Sequence, residues 1–336
     1  MRTLARTGSL LALAALAAIG TAGCASSSAS SRGKQVAIVA YSVPKPAYDA
    51  LTAAFVATAA GKGVRFSASY GASGDQSRAV ANGQHADYVA FSLQPDLTRL
   101  VPNLVAPGWD GGPTKGLVSD SVVVLAVRKG NPKHITGWDD LIGPGVRIVT
   151  PDPGSSGSAK WNLLAAYAHG LAGGGNDATA QAYLTKFAAN IVSKPESGSK
   201  ATQTFLAGTG DVLISYENEA ISARQKGQPI DYVVPSDTVL IENPAAVTTK
   251  ASPAAKAFLD YVESAAGQRI LAGKGYRPVL AGVAAGTVSG ANDPADPFPT
   301  PATLTTIAQL GGWSAANARY FDKQDGIITK ILAGAG

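Results

Sequence analysis

Hydrophobic positions fall into short blocks along this chain, and the spacing inside each block predicts its conformation. Residues 35–41 (QVAIVAY) are a β-rich apolar run bounded by turn residues, the pattern of a buried strand. Pro46 to Ala60 has helical spacing, with Pro at its start and Gly61 behind it. Val64 to Tyr70 alternates as a strand does. Gln76 to Asn82 reads as a short helix closed by Gly83, and Tyr88 to Ser92 as another strand. Strand–helix–strand–helix–strand predicts a parallel sheet flanked by helices.

The pattern then repeats. Val122 to Arg128 (VVVLAVR) predicts an apolar strand, Trp138 to Leu141 a short helix and Val146 to Thr150 a strand. Helices are expected over Ala159 to His169 and Ala178 to Ala189, and strands over Val212 to Tyr216 and Tyr232 to Pro235. Ser252 to Ala272 predicts one long helix, with Phe258, Val262 and Ile270 near one face, and Trp313 to Ala333 a second. Leu280 to Pro301, rich in Gly, Pro and Asp, predicts a surface excursion. The two α/β runs part near residue 118 and helices return after 240. This predicts an α/β chain of two lobes joined by two crossings, with residues 34–118 and 241–336 in one lobe and 119–240 in the other. A ligand would sit between them, at the strand C-termini.

The first residues set the expected compartment. Arg2 and Arg6 precede an unbroken apolar run of ten, Leu10 to Ile19, too short for a bilayer but suited to a signal-peptide core. Thr21, Ala22 and Gly23 lead to Cys24, the chain's one cysteine. TAGC resembles a bacterial lipobox. Residues 1–23 then read as a lipoprotein signal peptide, Cys24 as the lipidated residue, and 24–33 as a flexible tether. The expected location is extracytoplasmic, lipid-anchored to the cell membrane.

Composition removes other classes. With 336 residues, 46% hydrophobic and 15% charged, the chain can bury real cores and is not a disordered polymer. One Cys and three His leave no Cys-rich zinc site, no disulfide framework and no expected metal or other cofactor. A net charge of +5 without a basic run gives no support for nucleic-acid binding.

The candidate chemistry is one local pattern used three times. Residues 70–76 (YGASGDQ), 153–158 (PGSSGS) and 196–200 (ESGSK) each place Ser and Gly where a strand-like segment opens into a helix. Ser73 and Gln76 have the spacing of a capping box. Such openings leave unpaired backbone N–H groups at the positive end of the helix dipole. Glycine lets an oxyanion approach the backbone, and serine adds hydroxyl donors. Ser and Gly are favoured N-cap residues in any protein. The repetition at one predicted edge sets an anion-binding reading beside the structural one. A dianion without a proton can only accept hydrogen bonds, so a site for it needs many donors and no acceptor.

Six longer stretches carry a resemblance: GASGDQ (71–76), VRKGNPK (127–133), WDDLIGPGV (138–146), TPDPGSSGSAKWN (150–162), GDVLISYENEA (210–220) and GKGYRP (273–278), with GGW at 311–313. On these the chain resembles bacterial sulfate-binding proteins, receptors of ABC sulfate importers, over nearly its whole mature length. The resemblance implies a type II periplasmic-binding-protein fold with two hinge crossings. It also implies a non-enzymatic monomer that delivers sulfate to permease subunits driven by a cytoplasmic ATPase. Carried over by position, Ser73 supplies a backbone N–H, Ser156 a hydroxyl, Gly157 and Ser158 further N–H groups, and Gly198, or Ser197, the third-loop donor. Ser42 stands where the family contact is made from the main chain. Tyr216, a phenol, stands where the family has an indole donor. The departures at Ser42, Ser158 and Tyr216 leave thiosulfate and molybdate open beside sulfate, and a receptor for phosphate is a separate alternative.

Other residues draw plainer expectations. Trp161 is expected in the core, Glu217 and Glu219 in an ion pair or at the hinge, Asp75 on the surface of a first helical turn, and Lys45 and Arg78 as solvated residues near the cleft. Ser197 and Lys200 form an SxxK, the spacing of a serine acyl hydrolase, but no KTG triplet follows and Ser31 to Lys34 matches it too.

Overall fold

A computed structural model describes residues 34–335. The expected signal peptide (1–23), Cys24 and the whole expected tether (24–33) therefore lie outside the described residues. In chain order the strands are β1 (Gln35–Tyr41), β2 (Arg65–Gly71), β3 (Tyr88–Ala90), β4 (Leu117–Arg128), β5 (Ile148–Val149), β6 (Ile191–Ser193), β7 (Val212–Tyr216), β8 (Ile230–Val233), β9 (Asp237–Val247) and β10 (Thr303–Thr305). The α-helices are α1 (Lys45–Val56), α2 (Ser73–Ala81), α3 (Gln94–Thr98), α4 (Gly157–Leu171), α5 (Asp177–Ala189), α6 (Gly198–Leu206), α7 (Glu217–Gln225), α8 (Pro253–Glu263), α9 (Ala265–Gly273), α10 (Gly312–Tyr320) and α11 (Ile327–Gly334). No helix among the described residues is long and apolar enough to cross a membrane.

The strand order is β2-β1-β3-β9-β4-β7-β5-β6, with β10 beside β9 and β8 beside β4. β1 lies parallel between β2 and β3, and β5 parallel between β6 and β7. β4 and β9 are the two crossings. The first half of β4 pairs with β9 and its second half with β7 and β8; β9 also pairs with β3. Strand alternation explains the core: Val36, Ile38 and Ala40 face one cluster with Tyr48, Phe55 and Phe258, while Val39 turns to the other face with Val89 and Phe91.

Helix ends differ from expectation where polar side chains end or begin a turn. α1 stops at Val56 because Thr58 donates its hydroxyl to the Phe55 carbonyl, 2.7 Å away, and the chain turns. The single long helix expected over 252–272 is two helices. Ser264 breaks it, its side chain accepting the Gly267 N–H of α9. The second long helix is also split, at a turn where the Asp322 carboxylate accepts the N–H groups of Gln324 and Asp325. β9 was hidden by Glu242, Asn243 and Pro244, which interrupt its apolar pattern.

The C-terminal part packs differently from the expected division of the chain. Ile307, Trp313, Tyr320 and Ile328 share a core cluster with Trp161, Leu184 and Phe187 of α4 and α5. Val288 and Ala291 of the expected surface excursion are buried against α6 and α7. These segments thus cover apolar faces of the helices around β5–β7.

Candidate functional site

Strands β1–β3 and β5–β7 form two parallel trios that run in opposite senses, joined through antiparallel β9 and β4, and a predicted residue or a neighbour of one lies at or just beyond the C-terminal end of each strand. Ser42 follows β1, Ser73 follows β2 and Ser92 follows β3. In the other lobe Ser156 follows β5, Gly198 follows β6, and Tyr216 ends β7. The three Ser/Gly openings meet there. Gly74 donates its N–H to the Ser155 carbonyl at 3.0 Å, joining the first loop to the second. The Ser155 hydroxyl donates to the Glu196 carbonyl at 2.7 Å, joining the second to the third. A Cβ added at Gly198 would lie 2.9 Å from the Ser158 hydroxyl and 2.9 Å from Val43, beside Ser42. All seven sequence-predicted positions are therefore brought to one seam between the lobes.

The helix openings differ in what their side chains do. Ser73 is not a cap: Ala72 holds the N-cap position, and no capping box forms with Gln76. Instead the buried Ser73 hydroxyl donates to Asp96 at 2.7 Å and accepts the Ser92 N–H at 3.0 Å. Its side chain is spent on anchoring, which leaves its backbone N–H at the open end of α2. Ser156 precedes α4 with extended backbone and does not cap it. Its hydroxyl thus takes up none of the first-turn N–H groups of α4. Ser197 does cap α6, accepting the Lys200 N–H. That bond uses the serine of the SxxK pair structurally and leaves the N–H groups of Gly198 and Ser199 at the first turn.

Gly157 shows why a side chain is absent there. A Cβ would fall 2.6 Å from Ser92 Oγ and 2.9 Å from Leu93, so the lobes could not meet. Tyr216 is fully buried, its hydroxyl 2.6 Å from that of Ser92. Burial pushes the Tyr216 phenol well above its ordinary pKa, with hydrogen bonds from Ser158 and Ser92 opposing this. It stays neutral and can act as a donor. The Ser92 carbonyl accepts from the Trp161 indole at 2.9 Å and from Asn243 of β9 at 3.2 Å. Asn243 also accepts from the Tyr41 hydroxyl at 2.9 Å.

Ser92 and Asn243 did not stand out as candidates. Ser92 had a signal, since FSLQP is a fourth strand-to-helix junction; Asn243 had none, because β9 itself was not legible. Trp161 is in the core as expected, packed edge-on to Trp313. Glu217 forms the expected ion pair, with Arg277 at 2.8 Å. Glu219 is buried and accepts from Ser215 at 2.9 Å; burial raises its pKa and favours the uncharged acid. Asp75 is exposed and pairs with Arg78.

The seam opens on both sides. One cavity of about 390 Å³ includes Ser42, Lys45, Ser197, Ser199 and Glu219. The other, about 490 Å³, includes Gly74, Arg78, Ser155, Ser156 and Gly157. Between them lie buried hydroxyls and amides. No group of His, Cys, Asp and Glu among the described residues could hold a metal ion.

Residues 36–277 match the model of the bacterial extracellular solute-binding protein family. A sulfate-binding protein from Synechococcus elongatus is 37% identical over 302 residues, covering 85% of this chain and 83% of the relative. A thiosulfate-binding protein from Pseudomonas aeruginosa is 32% identical over 273 residues, covering 78% and 80%. Among solved structures, the sulfate-binding protein SubI from Mycobacterium tuberculosis superposes with a TM-score of 0.81 at 46% identity, covering 86% of this chain and all of that one. With its two α/β lobes, its two crossing strands and these relatives, the chain belongs to the bacterial extracellular solute-binding protein family, which is one of receptors and not of enzymes.

Proposed function

We propose that this protein binds sulfate between its lobes and delivers it to an ABC-type importer. One observation carries the reading: the helix openings at Ser73, Gly157 and Gly198 are tied together across the seam by hydrogen bonds, and all present uncharged donors. Backbone N–H groups of Ser73, Gly157, Ser158 and Gly198, the Ser156 and Tyr216 hydroxyls, and the main chain at Ser42 are the proposed contacts. Charge-assisted hydrogen bonds of about 1.5–3 kcal/mol each offset the desolvation of the dianion. The relatives named sulfate-binding proteins support the same ion.

In this reading the lobes hinge across β4 and β9, and closure buries the anion. The closed form is then recognised by permease subunits coupled to a cytoplasmic ATPase, the receptor acting as a monomer. Residues 1–23 are a lipoprotein signal peptide and Cys24 is lipidated, so the receptor is held near the permease outside the cytoplasmic membrane.

Thiosulfate is the second reading, favoured by the thiosulfate-binding relative. Thermal-shift measurements on the mature domain with sulfate, thiosulfate, molybdate and phosphate, followed by calorimetry, test both. Sulfate at one hundred times its Kd stabilises by about 2.7 kcal/mol. Stabilisation by phosphate and not by sulfate would overturn the assignment.

A further inference from the structure

The mouth of the seam beside Ser156 continues into a second cavity of about 540 Å³ on the outer surface. The two cavities share Arg78, Arg99, Lys160, Phe321 and Lys323, so they form one connected basin. Five cations, these four and Lys194, line the outer part against one carboxylate, Asp152. The opposite mouth carries fewer cations, Lys45, Lys200 and Lys226, of which Lys45 pairs with Asp49 at 2.7 Å, against Glu196.

The basic side chains are not all neutralised. Arg78 pairs with Asp75, and Arg99 with Asp96 at 3.1 Å. Lys160, Lys194 and Lys323 have no carboxylate within ion-pair distance among the described residues. Lys160 is half-buried and fixed: it donates to Asn317 of α10 at 2.7 Å and lies 4.9 Å from the Phe321 ring centre. It stands four residues after Ser156, hence one turn along the same face of α4 from the anion-binding opening. The remaining acid of the inner part, Asp322, accepts backbone N–H groups of its own turn.

We propose that this basin is a capture site, at which a hydrated divalent oxyanion is held by the Lys/Arg cluster before it loses its water and enters the seam. The inference rests on the reading of the cleft as an oxyanion site and adds a separate role outside it. The volume suits a solvated ion, whereas the donors of the seam bind a bare one. A one-signed field over a cleft mouth raises the association rate and is weakened by salt, with little effect on dissociation.

The test is stopped-flow association of sodium sulfate with the full mature domain, read by tryptophan fluorescence and set beside calorimetry. Lys194→Glu with Lys323→Glu is compared with Lys62→Glu with Lys133→Glu, which makes the same net-charge change on exposed residues outside the basin. At low ionic strength the basin pair should associate roughly 5–10-fold more slowly than wild type, with dissociation unchanged within about twofold, and the difference should vanish in high salt. The neutral pair Lys194→Gln with Lys323→Gln should fall between and guards against misfolding of the acidic pair. Equal association rates for wild type and the basin variants, or an equal loss in the control pair, overturns the capture site. Failure of the wild type to bind sulfate in calorimetry overturns the reading of the cleft instead.

Discussion

The Ser92 and Tyr216 hydroxyls lie 2.6 Å apart, although one follows a strand of the first lobe and the other ends a strand of the second. This contact joins the two lobes beside the helix openings, and in the proposed sulfate site the phenol is one of the donors. Tyr216→Phe should weaken sulfate binding by about 1–3 kcal/mol, roughly 5–150-fold, through loss of one donor and one interlobe bond. Titration calorimetry checks it; an unchanged affinity removes Tyr216 from the site.

Ser156 holds an N-cap position without capping, and in the proposed sulfate site its hydroxyl is a donor. Ser156→Ala should cost about 1–3 kcal/mol of binding free energy. Because no cap bond is lost, the unliganded melting temperature should stay within a few degrees, as read by calorimetric scanning.

Gly157 meets Ser92 and Leu93 across the seam, and a Cβ there would lie within 2.9 Å of both. The clash exists only when the lobes are together. Gly157→Ala should therefore lower affinity by about 1–3 kcal/mol, the scale of an overpacked contact, while leaving the open form intact. Small-angle scattering should show a radius of gyration that no longer shrinks when sulfate is added.

Glu219 sits beside the third opening, 3.5 Å from a Cβ placed on Gly198, and burial raises its pKa. Its ionised form would repel a dianion, so sulfate affinity should fall as pH rises through the elevated value. Glu219→Gln should flatten that dependence over the range above the ordinary glutamate pKa. Calorimetry across this range decides it, and parallel profiles for both proteins would exclude Glu219.

At the hinge, Asp120 of β4 stands opposite Glu242 of β9. Burial, then the Glu242 charge, pushes Asp120 from 3.8 up to about 7, with Arg277 opposing. A folded pKa above the unfolded one means tighter proton binding in the folded state. This contribution to stability is full below about pH 4 and is lost as pH rises through about 7. Asp120→Asn should remove the loss, leaving the protein roughly 2 kcal/mol more stable than wild type near pH 8. Urea denaturation at several pH values measures it.

Much of this molecule is local chemistry and is legible as such. Strand β1 and strand β7 lie where their apolar runs place them, and β2 within one residue. The Ser/Gly openings are helix starts because serine and glycine suit that backbone. Where two local rules compete, the reading slips. Ser264 falls inside one expected helix until its hydroxyl is seen to start a new one, and Ser73 reads as a cap until Asp96 takes its hydroxyl.

The amino-acid sequence by itself determined the α/β class, the spacing of strands and helices, and the supply of neutral donors at three helix starts. The tertiary structure alone decided which donors meet. Long-range pairing through β4 and β9 brings Ser92 to Tyr216, puts Asn243 beside them, and lets the C-terminal helices cover α4 and α5. Periodicity and capping depend on near neighbours in the chain. Convergence depends on strand order and on closure of the lobes, which no local pattern encodes.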